Sequence, residues 1–533
     1  MPRAIKIILI IFFIAFAASF FLTPIRSDND VWWHVKTGKI IVESRALPAN
    51  DILAYTSEEI PWHNHEWLAQ VIFFAVYTLG DGTEQSGFQM VILLVALLLI
   101  AAYLILLGHC WRETKSLPIA ILAAVWAVLM SRRTIYPRPP VFSYGFFAFY
   151  LWLFREVDEK RLRRRWLWAL PPLMVFWVNI HGGFMLGLIV IGSYGLTRLV
   201  QTLMEKKPLS QSSGIYYFII LGASLFATLM NPYTYNLYLL PARVMSDTGL
   251  VRIIPELHSP DFFYTIAFEA MILFLMGASF ALRKKIISLP EGLLIIFFMH
   301  QGIQHVRHVP LVGIVAAPVC ARIVKAFSES ISSEWLKARA PAFISLGVIM
   351  LIAWTLLNHR EGESFLERNR RFFAGEGYYE NSFPVAEANF IAANNFSGRM
   401  FNQINDAGFL IWRLSPERHK VFTDSRYDIF GGKFMRHEQI IQLGLDRKIY
   451  PDDETWDELL ERWKVNFIVI SADAPVNSQL EKSGSWEMVY HRLPRYARSS
   501  REGYKIHIRN VPENKDLIER CRRSFSAAQN LSQ

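Results

Sequence analysis

The sequence predicts a polytopic α-helical membrane bundle of about eleven spans, followed by a soluble α/β domain. Three observations predict it. Of 533 residues, 52% are hydrophobic and only 19% charged, against roughly a quarter charged in soluble globular chains. Apolar segments approaching the ~30 Å thickness of bilayer hydrocarbon recur along the first two thirds of the chain. Basic residues collect in alternate short loops between them.

The first segment, residues 5–23, follows Arg3 and lacks a small-x-small cleavage site. It reads as a retained first helix that doubles as the targeting signal. The later spans are expected at 86–108, 117–131, 140–154, 166–180, 183–200, 215–230, 263–282, 289–305, 310–326 and 340–357. With the N-terminus inside, the cytoplasmic loops carry Arg112 and Lys115, then Arg155, Lys160, Arg161, Arg163, Arg164 and Arg165. Further on they carry Lys206, Lys207, Arg283, Lys284, Lys285, Lys337 and Arg339, a positive-inside pattern. Residues 66–79 are too short to cross and begin Glu66-Trp67, so they are expected at the outer interface, with Trp62 and Trp67 at headgroup level.

The domains are therefore 1–357, a membrane domain with a first outward loop at 24–85, and 358–533, an extracytoplasmic α/β domain. In the second, helical patterns at 384–395, 433–443 and 454–464 alternate with apolar, β-rich runs at 421–424, 466–471, 486–491 and 505–509. Much of the basic excess behind the net charge of +10 lies in the cytoplasmic loops, which weakens the argument for nucleic acid. Cys110, Cys320 and Cys521 share no CxxC spacing, so no disulfide framework or zinc site is implied.

On this topology the unusual polar clusters fall on the outer side. Charged and imidazole groups at a membrane boundary are costly unless paired or hydrated, which makes each a site candidate. Asp28 and Asp30 follow the first span beside Trp32, Trp33 and His34. Two carboxylates so spaced can bind a divalent cation (Mg or Mn) or act as a general base. Arg132, Arg133 and Arg138 run against the positive-inside tendency, and guanidinium forks suit a lipid-linked phosphate or pyrophosphate. His305, Arg307 and His308 serve the same pocket or snorkel at a helix end. His63, His65 and Glu66 form a metal site or, more commonly for such residues, a hydrogen-bonded loop. His181, between Asn179 and two glycines, lines a tight helix–helix turn or the substrate.

These motifs, taken together, resemble those of a group of prokaryotic membrane proteins of the GT-C glycosyltransferase-like class. The resemblance is carried by Asp28, Asp30, Trp32-Trp33-His34 and Thr37-Gly38, then Leu47-Pro48, Asp51 and Trp62 with His65-Glu66-Trp67-Leu68. Arg133, Arg138-Pro139, Trp177, Asn179, His181-Gly182-Gly183-Phe184 and Asn231-Pro232-Tyr233 extend it. In the C-terminal part it rests on Phe401-Asn402, Gly408 to Trp412, and Thr423-Asp424-Ser425-Arg426-Tyr427-Asp428. The chain departs from the pattern at Asp424-Ser425-Arg426, where Asp-Gly-Arg is expected, and at Asp406-Ala407-Gly408, where Trp-Gly-Gly is expected. It also lacks the WWD-type signature of oligosaccharyltransferases, which speaks against transfer to asparagine.

The resemblance implies transfer of a sugar from a polyprenyl-phosphate-linked donor to a glycan, lipid or protein acceptor at the outer face of the prokaryotic cytoplasmic membrane. Asp28 or Asp30 would be the base or hold a cation. Trp33, His34, His65, Glu66, Arg132, Arg133, Arg138, His181, His305 and Arg307 would bind substrate, the arginines neutralising the phosphate leaving group. The competing reading is a non-catalytic scaffold or binder of lipid-linked glycans using the same pocket. A transporter is disfavoured, because no charged residue occupies mid-span.

Overall fold

The computed structural model describes residues 2–131, 135–281, 286–357, 363–448, 454–492 and 503–532. Arg132, Arg133 and the basic run Arg283, Lys284 and Lys285 lie outside the described residues. In chain order the helices are α1 (Arg3–Phe21), α2 (Asp30–Ser44), α3 (Trp67–Tyr77), α4 (Glu84–Thr114), α5 (Leu117–Met130), α6 (Pro140–Asp158), α7 (Leu170–Ile180), α8 (Phe184–Met204) and α9 (Ser213–Ala227). They continue as α10 (Leu239–Ser246), α11 (Thr248–Ile253), α12 (Ile266–Ala281), α13 (Leu289–Gln304), α14 (Val309–Glu329), α15 (Glu334–Leu357) and α16 (Phe365–Phe373). The C-terminal part adds α17 (Val385–Ala393), β1 (Arg399–Asn402), α18 (Ile404–Leu414), α19 (Tyr427–Leu443), α20 (Trp456–Arg462), β2 (Val465–Ser471), α21 (Val476–Ser483), β3 (Trp486–Arg492), β4 (Tyr504–Arg509) and α22 (Lys515–Ser532).

The chain divides into two compact units. The first comprises Met1–Pro24, Val76–Leu237 and Ile254–Gly377; the second comprises Ile25–Ala75, Tyr238–Ile253 and Tyr378–Gln533.

In the first unit, every segment expected to span carries a helix. Among the described residues, four helical stretches are long and apolar enough to cross a membrane: Arg3–Phe21, Glu84–Thr114, Phe184–Met204 and Val306–Glu329. Local chemistry sets the ends of these rods. Thr83 accepts the Ser86 amide at the start of α4, and Lys115 closes it in a left-handed conformation. Ser288 and Glu291 form a capping box at the start of α13. The core lies where α4, α5, α6 and α14 meet, around Val91, Leu99, Val125, Phe147, Ala316 and Ala317, all essentially inaccessible.

Several basic residues assigned to cytoplasmic loops prove to be joined to carboxylates within this unit. Glu113 receives Arg155 (2.9 Å), Arg161 (2.8 Å) and Arg322 (2.9 Å), and Arg322 also meets Glu291 at 2.7 Å. Glu156, fully buried, pairs with Arg112 (2.9 Å) and Arg161 (2.8 Å). The sharing ties α4, α6, α13 and α14 at one end of the bundle. Arg163, Arg164 and Arg165 remain exposed there.

The second unit is built on a mixed four-stranded sheet of order β1-β2-β4-β3. β1 and β2 are parallel; β2–β4 and β4–β3 are antiparallel. The strands expected at 466–471, 486–491 and 505–509 are β2, β3 and β4. The strand expected at 421–424 is absent from the sheet. Val421 instead exchanges backbone bonds with the first loop, accepting from Tyr55 N–H (3.1 Å) and donating to Leu53 carbonyl oxygen (3.0 Å). β1, only four residues long, had no sequence signal. Residues 66–79, expected as one helix, carry α3, eleven residues long.

Candidate functional site

The second unit holds the acidic loop. Asp28 is buried, and its two carboxylate oxygens accept the backbone amides of Asp30 (3.2 Å) and Val31 (3.3 Å) at the start of α2. Its own carbonyl oxygen accepts the Trp32 indole at 3.0 Å. A carboxylate so placed satisfies amides that the first helical turn leaves open and complements the helix dipole. Asp28 is therefore engaged in building the loop. Asp30, half-buried, faces differently: Oδ1 accepts the Trp33 indole (3.3 Å) and the Ser425 hydroxyl. Trp33 Nε1 also lies 3.2 Å from Ser425 Oγ, so the three groups close a triangle.

The loop is held against α18 by a close approach. A Cβ on Gly408 would stand 1.7 Å from the Asn29 carbonyl oxygen, so only glycine fits. Asn29 Nδ2 reaches Ile404 carbonyl oxygen at 3.4 Å. Trp32 packs edge-on against Tyr378, Phe383 and Phe409, each with centroids 4.9 Å away. The Asp406-Ala407-Gly408 sequence thus keeps the one glycine the contact requires, and Asp406 accepts the Tyr504 hydroxyl at 2.7 Å.

Beside Ser425 lies an ion triad that the sequence did not assemble. Arg426, 2% exposed, meets Asp51 through Nη1 (2.8 Å) and Nη2 (3.0 Å), and Asp424 through Nη2 (2.6 Å) and Nε (2.9 Å). Its guanidinium also lies over the Trp62 ring, 4.6 Å from the centroid. Burial pushes the Asp424 carboxyl upward, against the lowering effect of Arg426. For Arg426 the two carboxylates outweigh burial and hold the guanidinium protonated. The signal for this triad was present in Asp51 and in the Thr423–Asp428 motif, but their pairing across 375 positions was not readable.

The histidines form a second cluster in the same unit. His34, 2% exposed, has Nε2 3.8 Å from Glu66 and Nδ1 3.5 Å from Gln70 Nε2. His65 Nε2 lies 3.9 Å from the other Glu66 oxygen. Gln70 in turn is locked to Asn64 by two hydrogen bonds of 2.7 and 2.9 Å. Among the described residues, no group of three or more His, Cys, Asp or Glu is arranged to hold a metal ion. Asp28 directs both oxygens at backbone amides, and Asp30 accepts from Ser425 and Trp33.

Arg138 and Arg307 lie in the first unit. Arg138 pairs with Glu256 at 3.0 Å and lies over the Tyr136 ring, 4.8 Å from the centroid. Glu256 also interacts electrostatically with Arg307, as does Tyr144. The 3-10 turns at Pro255–Leu257 and Val306–His308 are stitched together: His305 Nδ1 lies 2.7 Å from Leu257 carbonyl oxygen, and Val306 N–H donates to His258 carbonyl oxygen at 2.9 Å. Arg138 thus pairs with Glu256, and the turn that begins at His305 is bonded to the turn that carries Glu256. His181 has a local task. Its Nδ1 meets Ser143 Oγ (2.8 Å) and the Gly183 amide (2.9 Å), while the same serine accepts the Trp177 indole at 2.7 Å. The turn between α7 and α8 is thereby bonded to Ser143 in the first turn of α6, the end that Arg138 precedes by two residues.

No family model matches the chain, and no curated protein matches it in sequence. Solved structures do match. The Archaeoglobus fulgidus oligosaccharyltransferase, tethered with an acceptor peptide containing the NVT sequon, aligns with TM-score 0.53 at 12% identity, covering 88% of this chain and 69% of that one. ArnT from Cupriavidus metallidurans, bound to undecaprenyl phosphate, aligns with TM-score 0.51 at 12% identity, covering 96% of this chain and 99% of that one. The mycobacterial arabinofuranosyltransferase AftD aligns with TM-score 0.53 at 13% identity, covering 95% of this chain and 42% of that one. At such identities the likeness establishes a shared fold: the chain has the GT-C-like fold of these membrane proteins.

Proposed function

We propose that the chain is a membrane glycosyltransferase that moves a sugar from a polyprenyl-phosphate-linked donor to an acceptor hydroxyl at the outer face of the cytoplasmic membrane, with about eleven spans and the C-terminal domain outside. The observation that carries the reading is the end-to-end alignment with ArnT, whose structure contains undecaprenyl phosphate.

In this reading Asp30 is the base. It is the less buried of the two aspartates, and its oxygen is aimed at donors instead of being spent on helix amides. Asp30 takes the proton of the acceptor hydroxyl as the acceptor oxygen bonds to the anomeric carbon. The bond from that carbon to the phosphate oxygen breaks, and the lipid phosphate leaves with the electron pair. Arg138 and Arg307 offset the charge that develops on it, where preorganised cations contribute most. Trp33 and Ser425 orient the base, while Asp28 shapes the turn. His34, His65 and Glu66 form a polar support for α2, and Arg132 and Arg133 join Arg138 in holding the phosphate.

The test has two arms. Lipids extracted from the purified protein are examined by mass spectrometry for a polyprenyl phosphate, in the wild type and in Arg138→Ala. Cell-envelope glycans are then compared between a deletion strain carrying the wild type and strains carrying Asp30→Asn or Asp28→Asn at equal folded protein level. Co-purifying lipid phosphate lost in Arg138→Ala, with glycan output lost in Asp30→Asn, supports the reading. Lipid binding with full glycan output in both aspartate variants would leave a binder of lipid-linked glycans without turnover.

A further inference from the structure

α16 has two apolar stripes and only one of them is covered by protein. Phe365 and Phe372, two turns apart, are 6% and 4% exposed. Phe365 stacks on Phe20 near the end of α1, with centroids 4.4 Å apart. Asn369, between them, donates from Nδ2 to the carbonyl oxygens of Ser19 (2.9 Å) and Leu22 (2.6 Å), which α1 leaves open at its end. Gln89 of α4 adds a bond to the Phe372 carbonyl oxygen. A capping box between Ser364 and Glu367 fixes the start of the helix. α16 therefore lies across the end of an apolar helix long enough to cross a bilayer.

On the other side, Leu366 and Phe373 are also two turns apart, and they are 49% and 72% exposed. Arg370, exposed, falls between them on the same face, four residues after Leu366 and three before Phe373. α15, the helix immediately before, exposes Phe343, Leu346 and Met350. An apolar stripe interrupted by a guanidinium, at the depth where a spanning helix runs out, suits the boundary between acyl chains and headgroups.

We infer that α16 is an interfacial helix docked on the phospholipid headgroup layer, with Leu366 and Phe373 entering the acyl boundary and Arg370 reaching lipid phosphates. Charge decides which lipids matter. Arg368, Arg370 and Arg371 are balanced by Glu363, Glu367 and Glu376, and Arg371 is bound to two of these at 3.1 Å. The local net charge is zero, so docking is driven by apolar burial and is indifferent to the share of anionic lipid. The inference rests on the membrane character of the chain and not on glycosyl transfer.

The three native cysteines are buried, so a thiol-reactive fluorophore can be directed to introduced sites on the full-length protein. Leu366→Cys, Phe373→Cys and a solvent-facing control, Glu513→Cys, are labelled and reconstituted into vesicles of phosphatidylcholine, alone or mixed with phosphatidylglycerol. All three sites are at least half-open or exposed, and size-exclusion profiles report whether the fold is kept. Labels at 366 and 373 are expected to be quenched at least ~3-fold more by a headgroup-nitroxide lipid than the label at 513, equally in both vesicle types. Iodide in the water should rank them in reverse. Quenching by iodide as strong at 366 and 373 as at 513 overturns the inference. A marked rise in lipid quenching with phosphatidylglycerol overturns the charge argument. As a check free of labels in the membrane, a water-soluble maleimide should react with Leu366→Cys far faster in detergent than in vesicles; equal rates also overturn the proposal.

Discussion

Oδ1 of Asp30 accepts the Ser425 hydroxyl, and the Trp33 indole lies 3.3 Å from that oxygen and 3.2 Å from Ser425 Oγ. The pair spans 395 positions of sequence, so the serine that departs from the glycine expected there becomes the hydroxyl partner of the proposed base. The hydroxyl holds the carboxylate in one orientation, so Ser425→Ala is expected to lower transfer about 10-fold, whereas Asp30→Asn should cost ~100-fold or more. Transfer rates in isolated membranes check both; full activity in Ser425→Ala would separate the serine from the base.

Arg426 carries a different burden. Removing it leaves Asp51 and Asp424, both essentially inaccessible, facing each other without a cation. Arg426→Gln should therefore destabilise the protein by about 3–5 kcal/mol. Arg426→Lys should recover little of this, because one ammonium cannot reproduce a fork shared by two carboxylates. Thermal unfolding of the detergent-purified protein reads the difference, and a lysine variant as stable as wild type would refute the geometric argument.

Gly408 leaves no room for a methyl group beside the Asn29 carbonyl oxygen, 1.7 Å from the built Cβ. Gly408→Ala must push α18 away from the start of α2, at a cost of about 1–3 kcal/mol. The same shift displaces Asp30 from Ser425, so transfer should fall together with stability. Thermal unfolding and envelope-glycan analysis on the same preparation test the coupling; lost stability with full output would detach Gly408 from the site.

Glu438 gives the pH prediction. Burial, the largest influence, raises its pKa from 4.5 to about 7, although the Ile404 amide donates to it at 3.2 Å. An acid with a raised folded pKa holds its proton more tightly when folded. Its stabilising contribution is complete below about pH 4.5 and is lost as pH rises to 7, on the order of 3 kcal/mol across that window. His507, held down to about 4 by burial, has the opposite slope below neutrality, so the wild-type curve mixes the two. The difference between Glu438→Gln and wild type isolates the carboxyl. The variant should match wild type near pH 5 and exceed it at pH 8, as read by unfolding midpoints; a constant difference would show that Glu438 titrates normally.

Much of the helical part was legible because apolar runs report burial in protein or lipid directly. Each expected span has its helix, and Arg138, singled out as a polar residue at the boundary, has its partner in Glu256. The pairings were not legible. Val421 looks like a sheet strand because Val421-Phe422 is apolar, yet it bonds to Leu53 and Tyr55 in the first loop. Asp28 and Asp30 are chemically identical in sequence; only backbone direction separates the cap from the carboxylate that meets Ser425. Arg155 and Arg161 count equally with Arg163 in a loop-charge sum, but the structure ties the first two to Glu113.

The second unit draws on Ile25–Ala75, Tyr238–Ile253 and Tyr378–Gln533. A ribosome delivers these pieces in order, so α2 emerges long before Gly408, Ser425 and Arg426 exist. Until then Trp32 and Asp51 lack the partners that bury them, and a prematurely terminated chain would present an orphaned aromatic surface to quality-control proteases. Asp30 acquires its hydroxyl partner only after a further 395 residues have been made. A polypeptide that stops short of Ser425 cannot assemble the carboxylate environment, however well its first helices insert.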